Sequence, residues 1–123
     1  DLDFKCKIEM PSILFDEAVD DMDVVSDSVA FEIENNTFNI QAAGNISTAK
    51  VSFSNNDIVR ISSKEEIVRS RYSIEYLKKI VKGSKLSENI ILSLSNDYPL
   101  KVEYKVVDKL VLQTILAPRV SND

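Results

Sequence analysis

Apolar and charged residues alternate from Leu2 to Met10: Leu2, Phe4, Cys6, Ile8 and Met10 are apolar, and Asp3, Lys5, Lys7 and Glu9 between them are charged. A period of two predicts a half-buried strand over residues 2–10. Pro11 breaks it, and Ser12 is placed to cap a helix running to Asp23, with Leu14, Phe15, Ala18, Val19 and Met22 on one side and Asp16, Glu17, Asp20 and Asp21 on the other. Three strands are predicted next, at 28–33, at 37–43 after a turn at Asn35 and Asn36, and at 46–53 after Gly44 and Asn45.

Residues 54–65 are polar and read as a connector with a short strand at 58–62. The order of elements then begins again. A strand is predicted at 67–72, a helix at 73–81 closed by Gly83, and strands at 89–95, 99–106 and 109–115. Ser12 and Ser73 open the two helices at equivalent places. A strand-helix-three-strand unit used twice predicts an α+β fold in which both helices lie on one face of antiparallel sheet, polar faces side by side. In the second helix Ile74, Leu77, Ile80 and Val81 oppose Glu75, Lys78, Lys79 and Lys82, so its exposed stripe is basic. A stripe of this kind is by itself most often a solvated face.

Composition narrows the chemistry. With 123 residues and 44% hydrophobic content, the chain fits one globular core, and residues 1–123 are read as a single domain. There is no histidine and only one cysteine, which excludes Cys-His and Ser-His-Asp catalysis and any internal disulfide. No leader peptide and no apolar run of about 20 residues is present, so an intracellular protein without a membrane span is expected. A net charge of -5 argues against general affinity for nucleic acid, which rests on lysines and arginines at phosphates. The chain opens on Asp1 rather than methionine, as expected of a processed chain or a fragment.

Several strings, taken in order, resemble the C-terminal domain of the proliferating cell nuclear antigen family of DNA sliding clamps, its archaeal members above all. Met10-Pro11-Ser12 enters the first helix, Val25-Ser26-Asp27-Ser28 leaves it, and Tyr72-Ser73-Ile74-Glu75-Tyr76-Leu77 opens the second. The most specific strings close the chain: Asp97-Tyr98-Pro99-Leu100 with Val102-Glu103-Tyr104, then Leu116-Ala117-Pro118-Arg119-Val120. The resemblance implies one domain of a two-domain subunit in a ring of three, with helices lining a channel for duplex DNA and sheets outside. It also implies that the N-terminal clamp domain and the linker are absent from this sequence. Cofactors are not expected. Expected partners are other clamp subunits, duplex DNA held without regard to sequence, and proteins with clamp-binding peptides such as DNA polymerase, flap endonuclease, DNA ligase and the clamp loader. The setting is the cytoplasm and nucleoid of an archaeon, or a eukaryotic nucleus.

Three sites follow from the resemblance. A pocket for partner peptides maps to Pro99, Ile115, Leu116, Ala117, Pro118 and Val120, with Phe4 beside them, and works by burying aromatic anchors while an extended peptide bonds to its rim. A subunit interface maps to the strand at 46–53, whose alternation puts Ala49, Val51 and Phe53 on one face and Ile46, Thr48, Lys50 and Ser52 on the other, with Met22 and Val25 packed beside Ile46 across the boundary. The DNA-facing residues are Lys78, Lys79 and Lys82. The first helix departs from the family pattern, having Glu17 and Asp20 where basic residues are common, which weakens DNA contact.

Two other readings compete. Asp16, Glu17, Asp20, Asp21 and Asp23 could hold a divalent metal for hydrolysis, but they lack the glycine and closing glutamate of a calcium loop and read as solvated carboxylates. Cys6 lies among the inward residues of its strand, where a thiol is inert, so no catalytic residue and no metal site is assigned. The stronger alternative is a clamp-fold interaction domain of a specialised or non-replicative clamp, since fold does not dictate function.

Overall fold

The computed structural model describes residues 2–81, 87–106 and 110–119. Lys82, Gly83, Lys109 and Val120, which figure in the expectations above, lie outside the described residues. The described residues hold nine strands and two helices: β1 (Cys6–Pro11), α1 (Ser12–Asp23), β2 (Ser28–Glu34), β3 (Thr37–Ala43), β4 (Thr48–Ser54), β5 (Arg60–Ser63), β6 (Ile67–Ser73), α2 (Ile74–Ile80), β7 (Asn89–Leu94), β8 (Leu100–Val106) and β9 (Leu110–Leu116). The repeat read from the sequence is there as β1-α1-β2-β3-β4 and β6-α2-β7-β8-β9, and β5 is the connector strand.

The strands form two antiparallel sheets, ordered β5-β1-β7-β8-β9 and β4-β3-β2-β6. Each unit therefore lends its leading strand to the other. β1 pairs with β7 from Cys6 opposite Leu94 to Pro11 opposite Asn89, and β6 pairs with β2 from Ser73 opposite Ser28 to Ile67 opposite Glu34. The junctions match: the N–H of Ser12 donates to the carbonyl of Glu88 at 2.8 Å, and that of Ile74 to the carbonyl of Asp27 at 3.0 Å. Ser12 thus corresponds to Ile74, one position from the equivalence with Ser73 expected from residue type. Nor does Ser12 cap its helix. Pro11 holds the N-cap position, and the buried Ser12 Oγ finds no hydrogen-bond partner among the described residues.

One core fills the space between the sheets and under both helices. Phe31 of β2 is fully buried at its centre, in edge contact with Phe15 of α1 (5.9 Å between ring centroids) and Phe38 of β3 (5.4 Å), and tilted against Tyr72 of β6 (5.2 Å). Such aromatic pairs gain about 1 kcal/mol beyond the area they bury. Two turns fix the register of the second sheet. Asn35 and Asn36 both take left-handed backbone (φ 53 and 58), the requirement of a tight hairpin whose twist suits its strands. At the next turn a Cβ on Gly44 would collide with the carbonyl of Val25, so only glycine fits there.

The expected first strand is shortened. β1 begins at Cys6, because at Lys5 the backbone N–H turns to the carbonyl of Leu94 (3.1 Å) and Ser95 Oγ (2.7 Å) and the chain leaves the ladder. Leu2 is exposed and Phe4 half-buried, so neither joins the core as alternation suggested. Cys6 does, and burial pushes its thiol up to about 11. Ile46 falls in the turn before β4 and is almost wholly exposed.

Candidate docking corner and helix face

β6 is an edge strand of its sheet, and edge strands present unpaired backbone groups. Here the groups are taken up by two segments that flank strands of the other sheet, the turn before β8 and the stretch after β9. The N–H of Arg69 donates to Asn96 Oδ1 (2.8 Å), the N–H of Asp97 to the carbonyl of Arg69 (3.0 Å), and the N–H of Arg119 to the carbonyl of Arg71 (2.8 Å). Asp97 accepts a left-handed conformation (φ 48) to make its bond, which aspartate tolerates better than most residues. Side chains tighten the joint: the Tyr72 hydroxyl donates to the carbonyl of Tyr98 at 2.7 Å, and the N–H of Tyr98 donates to Ser70 Oγ at 3.1 Å. Burial drives the Tyr72 hydroxyl far above its ordinary pKa, so it remains a donor.

These bonds fix a surface corner where the turn before β8 meets the segment after β9. Leu100 pairs with Leu116 and Lys101 with Ile115, which puts Pro99 and Ala117 opposite one another one step beyond the ladder. Ile115 and Ala117 are exposed, and Pro99 and Pro118 half-buried. Phe4 joins them through an edge contact with the ring of Tyr98 (5.7 Å). Leu116 is turned inward among the core residues and supports the corner from beneath. Tyr98 is the corner residue missing from the set marked in the sequence; it stands within the Asp97-Tyr98-Pro99-Leu100 string, but its link to Phe4 is long-range.

The helices lie side by side, and Lys78 Nζ of α2 bonds Asp23 Oδ2 of α1 at 2.8 Å. That bond raises the Lys78 pKa, with the charge of Asp23 adding to it. Lys79 sits over the ring of Tyr76 at 5.3 Å. The basic stripe of α2 therefore abuts the acidic face of α1. Among the described residues no three His, Cys, Asp or Glu side chains gather at metal-binding spacing.

At the far edge of the second sheet, Ala49, Val51 and Phe53 of β4 pack on the core, while Thr48, Lys50 and Ser52 face out, as alternation predicted. Met22 corrects the interface set: it is fully buried in the core and offers no surface to a neighbour. Val25 does lie beside the turn that carries Ile46, through the contact of its carbonyl with Gly44.

The chain matches the family described as "Proliferating cell nuclear antigen, C-terminal domain" over residues 1–119. It belongs to that family. It is 37% identical over 96% of its length to the DNA polymerase sliding clamp of Nanoarchaeum equitans, and 33% identical over 99% to that of Pyrococcus abyssi. A crystal structure of the proliferating cell nuclear antigen from Thermococcus kodakaraensis superposes on 97% of the chain with a TM-score of 0.88 at 25% identity. The chain spans about half the length of these relatives, 48% and 49% of the two archaeal clamps and 49% of the solved chain. Within this clamp family member no described helix is long and apolar enough to cross a membrane.

Because Tyr72 ties the corner to β6, Tyr72→Phe is expected to lower unfolding free energy by about 1 kcal/mol and to speed amide exchange at Asp97. Urea unfolding and native-state hydrogen exchange check both; unchanged exchange at Asp97 removes the hydroxyl from the account.

Proposed function

We propose that the chain is the C-terminal domain of a ring-forming DNA polymerase sliding-clamp subunit, a non-enzymatic part that encircles duplex DNA and docks replication and repair enzymes. The observation that carries the docking role is the apolar corner of Phe4, Tyr98, Pro99, Ile115, Ala117 and Pro118, held by backbone bonds to the edge of β6. A peptide with one aliphatic and two aromatic anchors suits such a surface, since a few desolvated anchors supply most of the energy of binding. DNA polymerase, flap endonuclease, DNA ligase and the clamp loader are the partners proposed for it.

Two further surfaces fit a ring. β4 ends its sheet, and its outer edge can continue the sheet into a neighbouring subunit, with Thr48, Lys50, Ser52, Val25 and Ile46 near the boundary. Lys78 and Lys79 face the channel, where unspecific phosphate contacts hold DNA loosely. The acidic α1 beside them favours sliding over tight binding, and it is also what keeps the second reading, a clamp-fold interaction domain outside replication, in view.

Pro118→Asp places a charge at the corner, half-exposed and clear of the core. Binding of a clamp-interacting peptide, followed by calorimetry, is expected to be abolished while the thermal midpoint stays within a degree or two of its original value, as about 0.5 kcal/mol or less of surface change allows. Unaltered affinity refutes the docking corner.

Asp23→Asn takes away the carboxylate bonded to Lys78 and is expected to raise affinity for a short duplex at low salt about twofold to fivefold, with a steeper salt dependence. Fluorescence anisotropy across salt concentrations checks it. If the two proteins bind alike, Lys78 does not face DNA.

A further inference from the structure

Four lysines line one concavity on the outer face of the five-stranded sheet, in a chain whose net charge is -5. Register places them. Ser62, Lys7, Ser93, Lys101 and Ile115 form one row across all five strands. Lys5 and Lys64 stand in the adjoining row, where the N–H of Lys64 donates to the carbonyl of Lys5 at 2.7 Å. Between them runs a groove of about 350 Å³ whose walls include Lys5, Lys7, Lys64 and Lys101, with Glu103 the one carboxylate among the described residues that line it. Lys5 is answered by Asp3 at 2.8 Å and Lys101 by Glu103 at 3.6 Å, while Lys7 and Lys64 are exposed.

Among the described residues, two of these lysines are paired with carboxylates and two are not, which leaves the concavity net positive and attractive to anions. The groove also has an apolar end. Phe4 lines it, carries Lys101 Nζ over its ring at 5.2 Å, and stands perpendicular to the ring of Tyr98 of the docking corner. The corner and the groove are thus one continuous surface, with Phe4 as the shared residue.

We propose that this groove binds an acidic segment of the same partner peptide whose apolar anchors occupy the corner. The inference rests on the docking role proposed above. Its dimensions set the length of the segment: from β8 to β5 is three strand spacings, about 14 Å at about 4.8 Å each, which about four extended residues cover at about 3.3 Å per residue. The partner is a protein with a run of about four Asp or Glu residues flanking its anchors. Surface pairs of this kind contribute about a factor of two each, so three or four raise affinity about tenfold at low salt and little at high salt.

The test titrates the chain with three synthetic peptides that share one apolar anchor: one flanked by four glutamates before it, one by four after it, and one by four glutamines. One glutamate peptide is expected to bind about tenfold tighter than the glutamine peptide at low salt. The advantage is expected to vanish in the Lys7→Glu/Lys64→Glu protein, which still binds the glutamine peptide as before. Equal affinities for all three overturn the groove and leave the docking corner standing. No binding of any peptide overturns the docking corner and the groove together. Displacement of the glutamate peptide by an oligonucleotide of equal charge, without loss of the anchor, assigns the groove to nucleic acid and overturns the proposal.

Discussion

Each unit of this chain gives its leading strand to the other unit's sheet, and neither sheet is complete without that exchange. β1 lies between β5 and β7, and β6 completes the sheet of β2, β3 and β4. A helix follows each exchanged strand directly, so the crossing of the strands also sets the helices next to one another. The aromatic cluster at Phe31 closes the arrangement, because its rings come from α1, β2, β3 and β6 and so from both units. A pattern of two separately folding halves is incompatible with that core.

Exchange leaves β6 at a sheet edge with its backbone unpaired on one side. The structure meets that need with the turn before β8 and the segment after β9, and the residues that satisfy Arg69 and Arg71 are neighbours of those that form the corner. Protection of the edge strand and construction of the corner proposed for docking rest on the same set of hydrogen bonds. This explains why the proline-bearing segment after β9, which belongs to no strand, holds a defined place.

What the sequence disclosed follows periodicity. Both helices, the hairpin at Asn35 and Asn36, the alternation of β4 and the repeat itself were legible, since each rests on local pattern or turn chemistry. Which strand joins which sheet was not, because Lys7 opposite Ser93 and Ser28 opposite Ser73 are separated by long stretches of chain. For the same reason Met22 reads as a boundary residue although it is core, Phe4 reads as part of a strand that starts only at Cys6, and Tyr98 does not stand out. The lysine groove was half visible: Lys5 and Lys7 face out by alternation, but Lys64 and Lys101 reach them only through pairing. The resemblance to the clamp family rests on short strings at the entries to both helices, at the exit from the first, and around β8 and β9.

The helix face and the corner make different electrostatic demands. Lys78 of the helix face is paired with Asp23, whereas the corner is built from apolar side chains. The central claim is the position of that corner, and backbone amide chemical shifts, followed while a peptide with one aliphatic and two aromatic anchors is added, locate it directly. The account predicts that the shifts centre on Phe4, on Asp97 to Lys101 and on Gln113 to Arg119; shifts centred instead on α1, α2 or β4 contradict it.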